Sequence, residues 1–218
     1  MVVLNDRQKH ERTGCLTTLI LYSFKATPSE LAILLAWPKI LEHFTFEQLH
    51  TTDPIPYDVN WKLLMFEILL APHRSTLQSI SIGSTGAASL PVVGDAIDFS
   101  RSPELQKLGL SHRGWLCSPE QSNSTILTSK LYSFAWNFGG CDERSASWAE
   151  FGQVQADWLF SFAKLAYDQK SDPREIMIRF QLDHWSIPQS REKYEALGYL
   201  LPKGISRINL IRRTDQRK

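Results

Sequence analysis

Histidine and cysteine are the side chains of this chain that could bind a metal ion or act as a catalytic base or nucleophile. A zinc site on a helix needs a His-x-x-x-His or Glu-x-x-His pair, and no histidine of this chain forms such a pair on a predicted helix. The cysteines are odd in number and have no Cys-x-x-Cys pair, which favours a reducing compartment. Cys141 follows two glycines, which predicts an exposed loop thiol. The sequence therefore predicts no metal, no cofactor and no catalytic residue. The residues concerned are His10, His43, His50, His73, His112 and His184, with Cys15, Cys117 and Cys141.

A glycine-containing segment, Gly83–Ala88, follows a predicted strand and could suggest a loop that binds phosphate. It lacks the Lys-Ser/Thr ending of a P-loop and the third glycine of a dinucleotide fingerprint, and Pro91 interrupts the helix that should follow. No Gly-x-Ser-x-Gly elbow occurs elsewhere. The segment is interpreted as a flexible insertion. An enzyme on an α/β scaffold, with its ligand loop here, is the alternative.

Charge and hydropathy exclude several classes of protein. The chain has 218 residues, with 24 Lys and Arg against 23 Asp and Glu, so its net charge of +1 argues against dedication to nucleic acid or acidic membranes. Its richest apolar stretches, Leu31–Trp37 and Trp61–Ala71, are far shorter than the roughly 20 residues that span a bilayer, and the second contains Lys62 and Glu67. Residues 1–12 lack the pattern of a secretory signal. We expect an intracellular protein, cytoplasmic or nuclear.

A six-residue pattern recurs along the chain, in the form apolar, x, x, apolar, x, apolar. The starts of successive copies, here called hexads, are 25 to 42 residues apart. In each hexad the fourth and sixth residues would point to one face of a short strand, because side chains alternate along a strand. The hexads are Leu16–Leu21, Leu41–Phe46, Leu77–Ile82 and Leu105–Leu110, with weaker copies at Leu131–Trp136, Pro173–Ile178 and Ile205–Leu210.

Helical patterns separate the hexads. A capping box at Thr27–Glu30, with proline at the first helical position, predicts a helix of about ten residues that ends at Trp37. Asn60 is predicted to cap a second, well-buried helix over Trp61–Leu70, which Pro72 ends. The other two predicted helices are Trp148–Gln169, with a capping box at Ser147–Glu150, and Arg191–Leu197. The buried stripe predicted for the longer one consists of Phe151, Val154, Trp158, Leu159, Phe162, Leu165 and Ala166.

Alternating strands and helices favour parallel strands joined by crossovers. Two α/β architectures meet this condition: a solenoid with strands on one face and helices on the other, and a doubly wound sheet, whose strands would show longer apolar runs. The repeated hexad favours an irregular solenoid similar to leucine-rich repeats. The predicted organisation is a flexible N-terminus at 1–14, the repeat domain at 15–212 and a basic tail at 213–218.

Several runs resemble the repeat region of fungal proteins that combine an F-box with leucine-rich repeats. They are Leu35–Phe44, Phe66–His73 with Leu77–Gly83, Phe99–Ser111, and Asp157–Phe162 with Arg174–Ile176. The resemblance covers about residues 15 to 212. It implies the substrate-recruiting part of a cullin-type ubiquitin ligase, in which repeats hold a protein target and an F-box holds a Skp-type adaptor.

The chain departs from that family in two respects. Only about 14 residues precede the first hexad, fewer than the several tens that an F-box occupies, so the adaptor would bind only if a longer product supplied an F-box. The asparagine that commonly follows the strand in leucine-rich repeats is also missing, and a regular asparagine ladder is not expected. The corresponding residues are Phe24, Leu49, Thr85 and Arg113.

The predicted function is non-catalytic protein binding, with the target lying across the outward positions of the strands. Tyr22 and Met177 are the expected anchors, since the remaining positions are mostly polar and nearly neutral in sum. A truncated gene product without an independent function is a further alternative. The predicted partner-binding residues are Thr18, Ile20, Tyr22, His43, Thr45, Glu47, Ser79, Ser81, Lys107, Ser111, Ser133, Asn137, Glu175, Met177, Arg179, Arg207 and Asn209.

Overall fold

The computed structural model describes eight stretches of the chain: residues 12–24, 26–47, 61–83, 97–111, 125–137, 153–168, 175–180 and 207–212. The predicted helix at Arg191–Leu197, the basic tail at 213–218 and most of the N-terminal segment lie outside these residues.

Over the described residues the fold is α/β, with seven parallel strands in one sheet. Their order in the sheet is their order in the chain, so the described sheet lacks the reversal of strand order that a doubly wound sheet has. The strands are β1 (Thr18–Tyr22), β2 (His43–Glu47), β3 (Ser79–Ile82), β4 (Lys107–Ser111), β5 (Ser133–Asn137), β6 (Glu175–Phe180) and β7 (Arg207–Arg212).

Every strand begins at the third residue of a hexad, which confirms that the seven hexads lie side by side in parallel. The register pairs equivalent positions, for example Leu19 with Phe44, and Phe134 with Ile176. The junction before each strand also repeats. The carbonyl of Thr17 accepts from the N–H groups of both Glu42 and His43, and the carbonyl of the second hexad residue does the same in the next three copies. Equivalent backbone geometry therefore accompanies the repeated sequence pattern.

The first helix, α1 (Pro28–Ala36), begins at the predicted capping box. The backbone N–H and the hydroxyl of Thr27 donate to Oε2 of Glu30 at 2.8 and 2.9 Å, and the Glu30 N–H donates back to Oγ1 of Thr27 at 3.3 Å. The Thr27 N–H and then its hydroxyl lower the pKa of Glu30, because both hydrogen bonds favour the carboxylate.

Removing this carboxylate is expected to have a pH-dependent effect on stability. Because the pKa of Glu30 is lowered in the folded state, its contribution is present above the usual glutamate value of 4.5 and is lost as the pH falls through the folded-state value. The difference in free energy of unfolding between the wild type and Glu30→Ala should therefore shrink on acidification. Urea titrations at a series of pH values measure it, with Ser29→Ala as a control that should show no such trend.

The second helix, α2 (Leu63–Leu70), is shorter than predicted and continues into a 3-10 turn at Ala71–His73. It begins at Leu63 rather than at Trp61, with Lys62 at the capping position and no side-chain cap. Trp61 is instead buried before the helix, where its ring stacks on Phe66 at a centroid distance of 5.4 Å. The prediction of a well-buried helix holds for only part of its surface, since Ile68 is 70% exposed.

The third helix, α3, is described from Gln153 to Asp168, and its predicted capping box lies outside the described residues. Most of the predicted stripe is buried, including Trp158, Phe162 and Ala166. Val154 is an exception and is exposed, although it lies one turn before the buried Trp158, whose ring contacts β5.

One hydrophobic core lies between the helices and one face of the sheet. The fourth and sixth hexad residues of β2 to β6 enter this core, together with the first hexad residues Leu41, Leu77, Leu105 and Leu131. Phe46 of β2 contacts Phe66 of α2 at a centroid distance of 4.8 Å, and Phe134 of β5 contacts Phe162 of α3 at 4.9 Å. Burial of these apolar surfaces is the main source of stability. The opposite face of the sheet, here called the outer face, carries the third and fifth hexad residues.

Two threonines connect neighbouring repeats in the same way. The hydroxyl of Thr76 donates to the carbonyl of Leu41, and that of Thr128 donates to the carbonyl of Leu105, both at 2.8 Å. Leu41 and Leu105 are each the first residue of a hexad, so each threonine satisfies a carbonyl two residues before an earlier strand. Nearby, Nε2 of the buried His73 lies 2.7 Å from the carbonyl of Leu35 in α1.

Replacing the buried Thr128 with valine should leave the Leu105 carbonyl without its hydroxyl donor while preserving the side-chain shape. We expect the free energy of unfolding to fall by about 1 to 3 kcal/mol, the cost of an unsatisfied buried polar group. Thr45→Val is the matched control, since Thr45 is only half-buried on the outer face and valine suits a strand. Chemical denaturation measures both variants, and equal effects would contradict the prediction.

Candidate functional site

The outer face arranges side chains in rows that run across the strands. Parallel register places Thr18 beside His43, His43 beside Ser79, and Ser79 beside Lys107. A second row runs from Ile20 through equivalent positions, and a third row runs from Tyr22. The second row is Ile20, Thr45, Ser81, Gly109, Ala135, Met177 and Asn209, and the third row includes Tyr22, Glu47, Ser111, Asn137 and Arg179.

Access to this face decreases from β1 towards β5. On β1 the side chains of Thr18, Ile20 and Tyr22 are exposed, and so are His43 on β2 and Lys107 on β4. The predicted residues that are half-buried are Thr45, Glu47, Ser79, Ser81, Asn137, Glu175 and Met177. The predicted positions Arg179, Arg207 and Asn209 lie in β6 and β7, but their side chains are outside the described part of the chain.

Two predicted surface residues are buried instead. Ser111 and Ser133 have only 5% and 2% of their surface exposed, and their neighbours Gly109 and Ala135 are also buried. Alternation correctly placed these residues on the outer face. It did not predict their accessibility, which depends on the surrounding chain. In this structure an approaching protein would reach β1 to β3 more readily than the middle of β4 and β5.

Close packing across the outer face depends on two glycines. A Cβ atom at Gly109 would lie 3.1 Å from Oγ of Ser81, and one at Gly83 would lie 2.9 Å from Cγ of Glu47. Side chains of one strand therefore lie over the glycine of the next. Gly83, the first residue of the alternative ligand loop, has this packing role, and the rest of Gly83–Ala88 lies outside the described residues.

Some polar side chains on this face make contacts with the neighbouring repeat. The ammonium of Lys107 lies 5.7 Å from the ring centroid of Tyr132, a cation–π arrangement, and the hydroxyl of Ser133 donates to Oε2 of Glu175 at 3.1 Å. Oδ1 of Asn137 is buried and has no hydrogen-bond partner among the described residues. The arrangement supplies hydroxyl, imidazole and ammonium groups for surface contacts.

Sequence reasoning missed one exposed apolar residue beside these rows. Leu16, the first residue of its hexad, is 47% exposed, whereas its equivalents Leu41, Leu77 and Leu105 are fully buried. No described strand precedes β1, so Leu16 lacks the neighbour that covers the later copies. The feature of the sequence that could have predicted this exposure is that Leu16 belongs to the first hexad. Trp37 and Ile40 are further exposed apolar residues at this end of the sheet.

Metal centres and membrane spans are two other features that the described residues could contain. No group of three or more His, Cys, Asp or Glu side chains is placed to hold a metal ion there. No helix in the same stretches is long and apolar enough to cross a membrane. Of the three cysteines, Cys15 is described and is an exposed free thiol, whereas Cys117 and Cys141 lie outside the described stretches.

Comparison with known proteins adds no relative to these observations: no family model, no curated protein and no solved structure matches the chain.

Proposed function

We propose that this chain is a non-catalytic module that binds a protein target across the outer face of an irregular, leucine-rich-repeat-like solenoid. The observation that carries the proposal is the separation of the two faces of the sheet. One face is filled by the core and the helices, whereas the other presents aligned rows of side chains that are accessible over β1 to β3. An open sheet face of aligned side chains suits a macromolecular partner better than a small molecule, which usually binds in a pocket.

The solenoid is supported by the sequential strand order and by the repeated junction at each hexad. Stacked repeats place equivalent residues side by side and leave one face of the strands for binding. The resemblance to fungal F-box and leucine-rich-repeat proteins supports the same architecture. It also supports a role in recruiting a protein for ubiquitination in the cytoplasm or nucleus.

Energetic anchors are expected where large side chains are exposed on the outer face. Tyr22 is 57% exposed and Ile20 52%. A few residues, often tyrosine, tryptophan or arginine, that become buried at the centre of an interface contribute most of the binding free energy. His43 adds a hydrogen-bonding group on the neighbouring strand, and the half-buried Met177 on β6 adds a flexible apolar contact.

The test begins with identification of the target by site-specific photo-cross-linking. A cross-linking amino acid at Tyr22 or Thr45 should capture one protein, whereas the same group at Ile68, which is exposed on α2, should not capture it. The affinity of the purified target for the wild type is then compared with that for a triple variant, Tyr22→Ala, His43→Ala and Met177→Ala.

The triple variant is expected to bind at least about tenfold more weakly, because each truncation removes an interface contact. A matched triple variant on the helix side, Lys62→Ala, Ile68→Ala and Lys164→Ala, should bind like the wild type. Unchanged affinity after the outer-face substitutions would refute this assignment of the surface. An in-frame F-box upstream of Met1 in the genomic sequence would add a Skp-type adaptor as a second partner of the longer product.

A further inference from the structure

The first strand has a backbone edge that points away from the rest of the sheet. The carbonyl of Thr17 accepts from His43, and the N–H of Ser23 donates to the carbonyl of Glu47, so odd-numbered residues of this segment direct their backbone groups towards β2. In a parallel ladder both backbone groups of the intervening residues point the other way. Thr18, Ile20 and Tyr22 therefore direct three N–H and three C=O groups to an edge that no described strand occupies.

The side chains along this edge are exposed and uncharged. Leu16, Thr18, Ile20 and Tyr22 share one face of the segment, and all four are exposed. Soluble proteins usually protect an edge strand with a charge, a proline or a bulge. The run from Leu16 to Tyr22 contains neither a charged residue nor a proline. This edge is therefore suited to pairing with another strand.

We propose that two copies of the chain pair through β1, antiparallel and about a two-fold axis at Ile20. The register is self-complementary: Ile20 would face Ile20 of the other copy, and Thr18 would face its Tyr22. By symmetry, Tyr22 would also face Thr18 of the other copy. All three of these pairs would be hydrogen-bonded pairs, because Thr18, Ile20 and Tyr22 are the residues whose backbone groups point outwards. A strand without charged residues meets no like-charge repulsion when it pairs with itself. The two sheets would join into one, with both outer faces on the same side.

The proposed dimer does not depend on the proposed protein target. Pairing through five residues buries less surface than the roughly 1,200 Å² of a standard specific interface, so we expect a reversible dimer with a dissociation constant of about 10 to 100 µM. Self-association is measured without any partner. An experiment that finds no dimer would therefore leave the proposed target binding untouched, and the absence of target binding would leave the proposed dimer untouched.

Sedimentation velocity of the purified chain over a range of concentrations is the first test. The expected result is a shift from the 25.0 kDa monomer to a species of twice that mass. Ile20→Lys would place two ammonium groups opposite each other at the axis and should weaken the dimer at least about tenfold. Ile68→Lys introduces the same charge at an exposed position on α2 and should leave the dimer unchanged.

A cross-linking experiment tests the register. Facing residues of a hydrogen-bonded antiparallel pair have Cα atoms about 5.5 Å apart, close enough for a short bifunctional thiol reagent to join two cysteines. With the three native cysteines replaced by serine, Ile20→Cys should form a covalent dimer with such a reagent. Thr45→Cys, one strand further into the sheet, should not form one. The circular dichroism spectrum of each variant checks that it remains folded.

Three results would overturn the proposal. The first is a single monomeric species up to about 0.5 mM, well above the expected dissociation constant; the edge would then be free for a different strand. The second is a dimer that folded Ile20→Lys leaves intact. The third is open-ended growth beyond the dimer, which would indicate head-to-tail contacts rather than a two-fold pair.

Discussion

Replacing Phe162 with alanine is expected to lower the free energy of unfolding by about 3 to 5 kcal/mol, the range for large aromatic residues in protein cores. Phe162 has none of its surface exposed. Its ring stacks on Trp158 of α3 at a centroid distance of 5.3 Å and contacts Phe134 of β5. Truncation would leave a cavity between helix and sheet that these two rings cannot fill. Urea denaturation followed by tryptophan fluorescence measures the loss.

The same helix provides a control with the same side chain. Phe160 is two residues away, and since a helix turns by about 100° per residue it lies almost on the opposite side. It is 45% exposed, so Phe160→Ala should cost less than about 1.5 kcal/mol, because partly exposed side chains lose little transfer free energy. Equal losses for the two variants would show that α3 does not pack on β5 through Phe162.

Replacing Phe66 with alanine is the second large effect, again about 3 to 5 kcal/mol. Phe66 is the centre of an aromatic group between α2 and β2, with centroid distances of 4.8 Å to Phe46, 5.4 Å to Trp61 and 6.1 Å to Phe44. One truncation therefore removes contacts to three rings. For a chain of this length each kcal/mol corresponds to about 2 to 4 °C in Tm, so the midpoint should fall by about 6 to 20 °C.

Ile68→Ala on the same helix is the control for Phe66→Ala. Ile68 is exposed, and alanine favours helix at least as well as isoleucine does. The change in Tm should therefore be close to zero, with either sign. A loss for Ile68→Ala as large as that for Phe66→Ala would mean that the two faces of α2 have been assigned the wrong way round.

Amide hydrogen exchange on these two variants also tests the solenoid. In a stack of repeats each unit contacts only its neighbours, so destabilisation is felt most nearby. Phe66→Ala should then reduce protection in β1 to β3 more than in β5 and β6, and Phe162→Ala should do the reverse. Equal loss of protection in all strands with both variants would favour a single cooperative unit and count against the solenoid.

The parts of this fold that were predictable depend on short segments of sequence. Period-two alternation in the hexads located all seven strands, because alternation follows from the backbone geometry of one strand alone. The capping box at Thr27–Glu30 located the start of α1 for the same reason, since its hydrogen bonds join residues three positions apart. The start of α2 was predicted wrongly because Trp61 is held by Phe66 and Phe46, whose contacts compete with helix formation at that residue.

The candidate site was predictable only as a set of outward positions. Alternation placed Tyr22, His43 and Lys107 on the outer face, and they are exposed. Ser111 and Ser133 follow the same alternation but are buried, whereas Leu16 is exposed although the equivalent residues of later hexads are buried. These differences follow from each residue's neighbours in space, which a single hexad does not specify.

By itself, then, the sequence determined where each strand begins and which side chains turn towards the core, since both depend on the conformation of five or six consecutive residues. The tertiary structure decided which outward positions a partner can reach, and it left β1 with an edge that no described strand covers. Adjacent strands lie about 4.8 Å apart but are separated by tens of residues along the chain. The exposure of a side chain therefore depends on segments that are far away in the sequence but close in space. The residues next to it in the sequence do not show which segments these are.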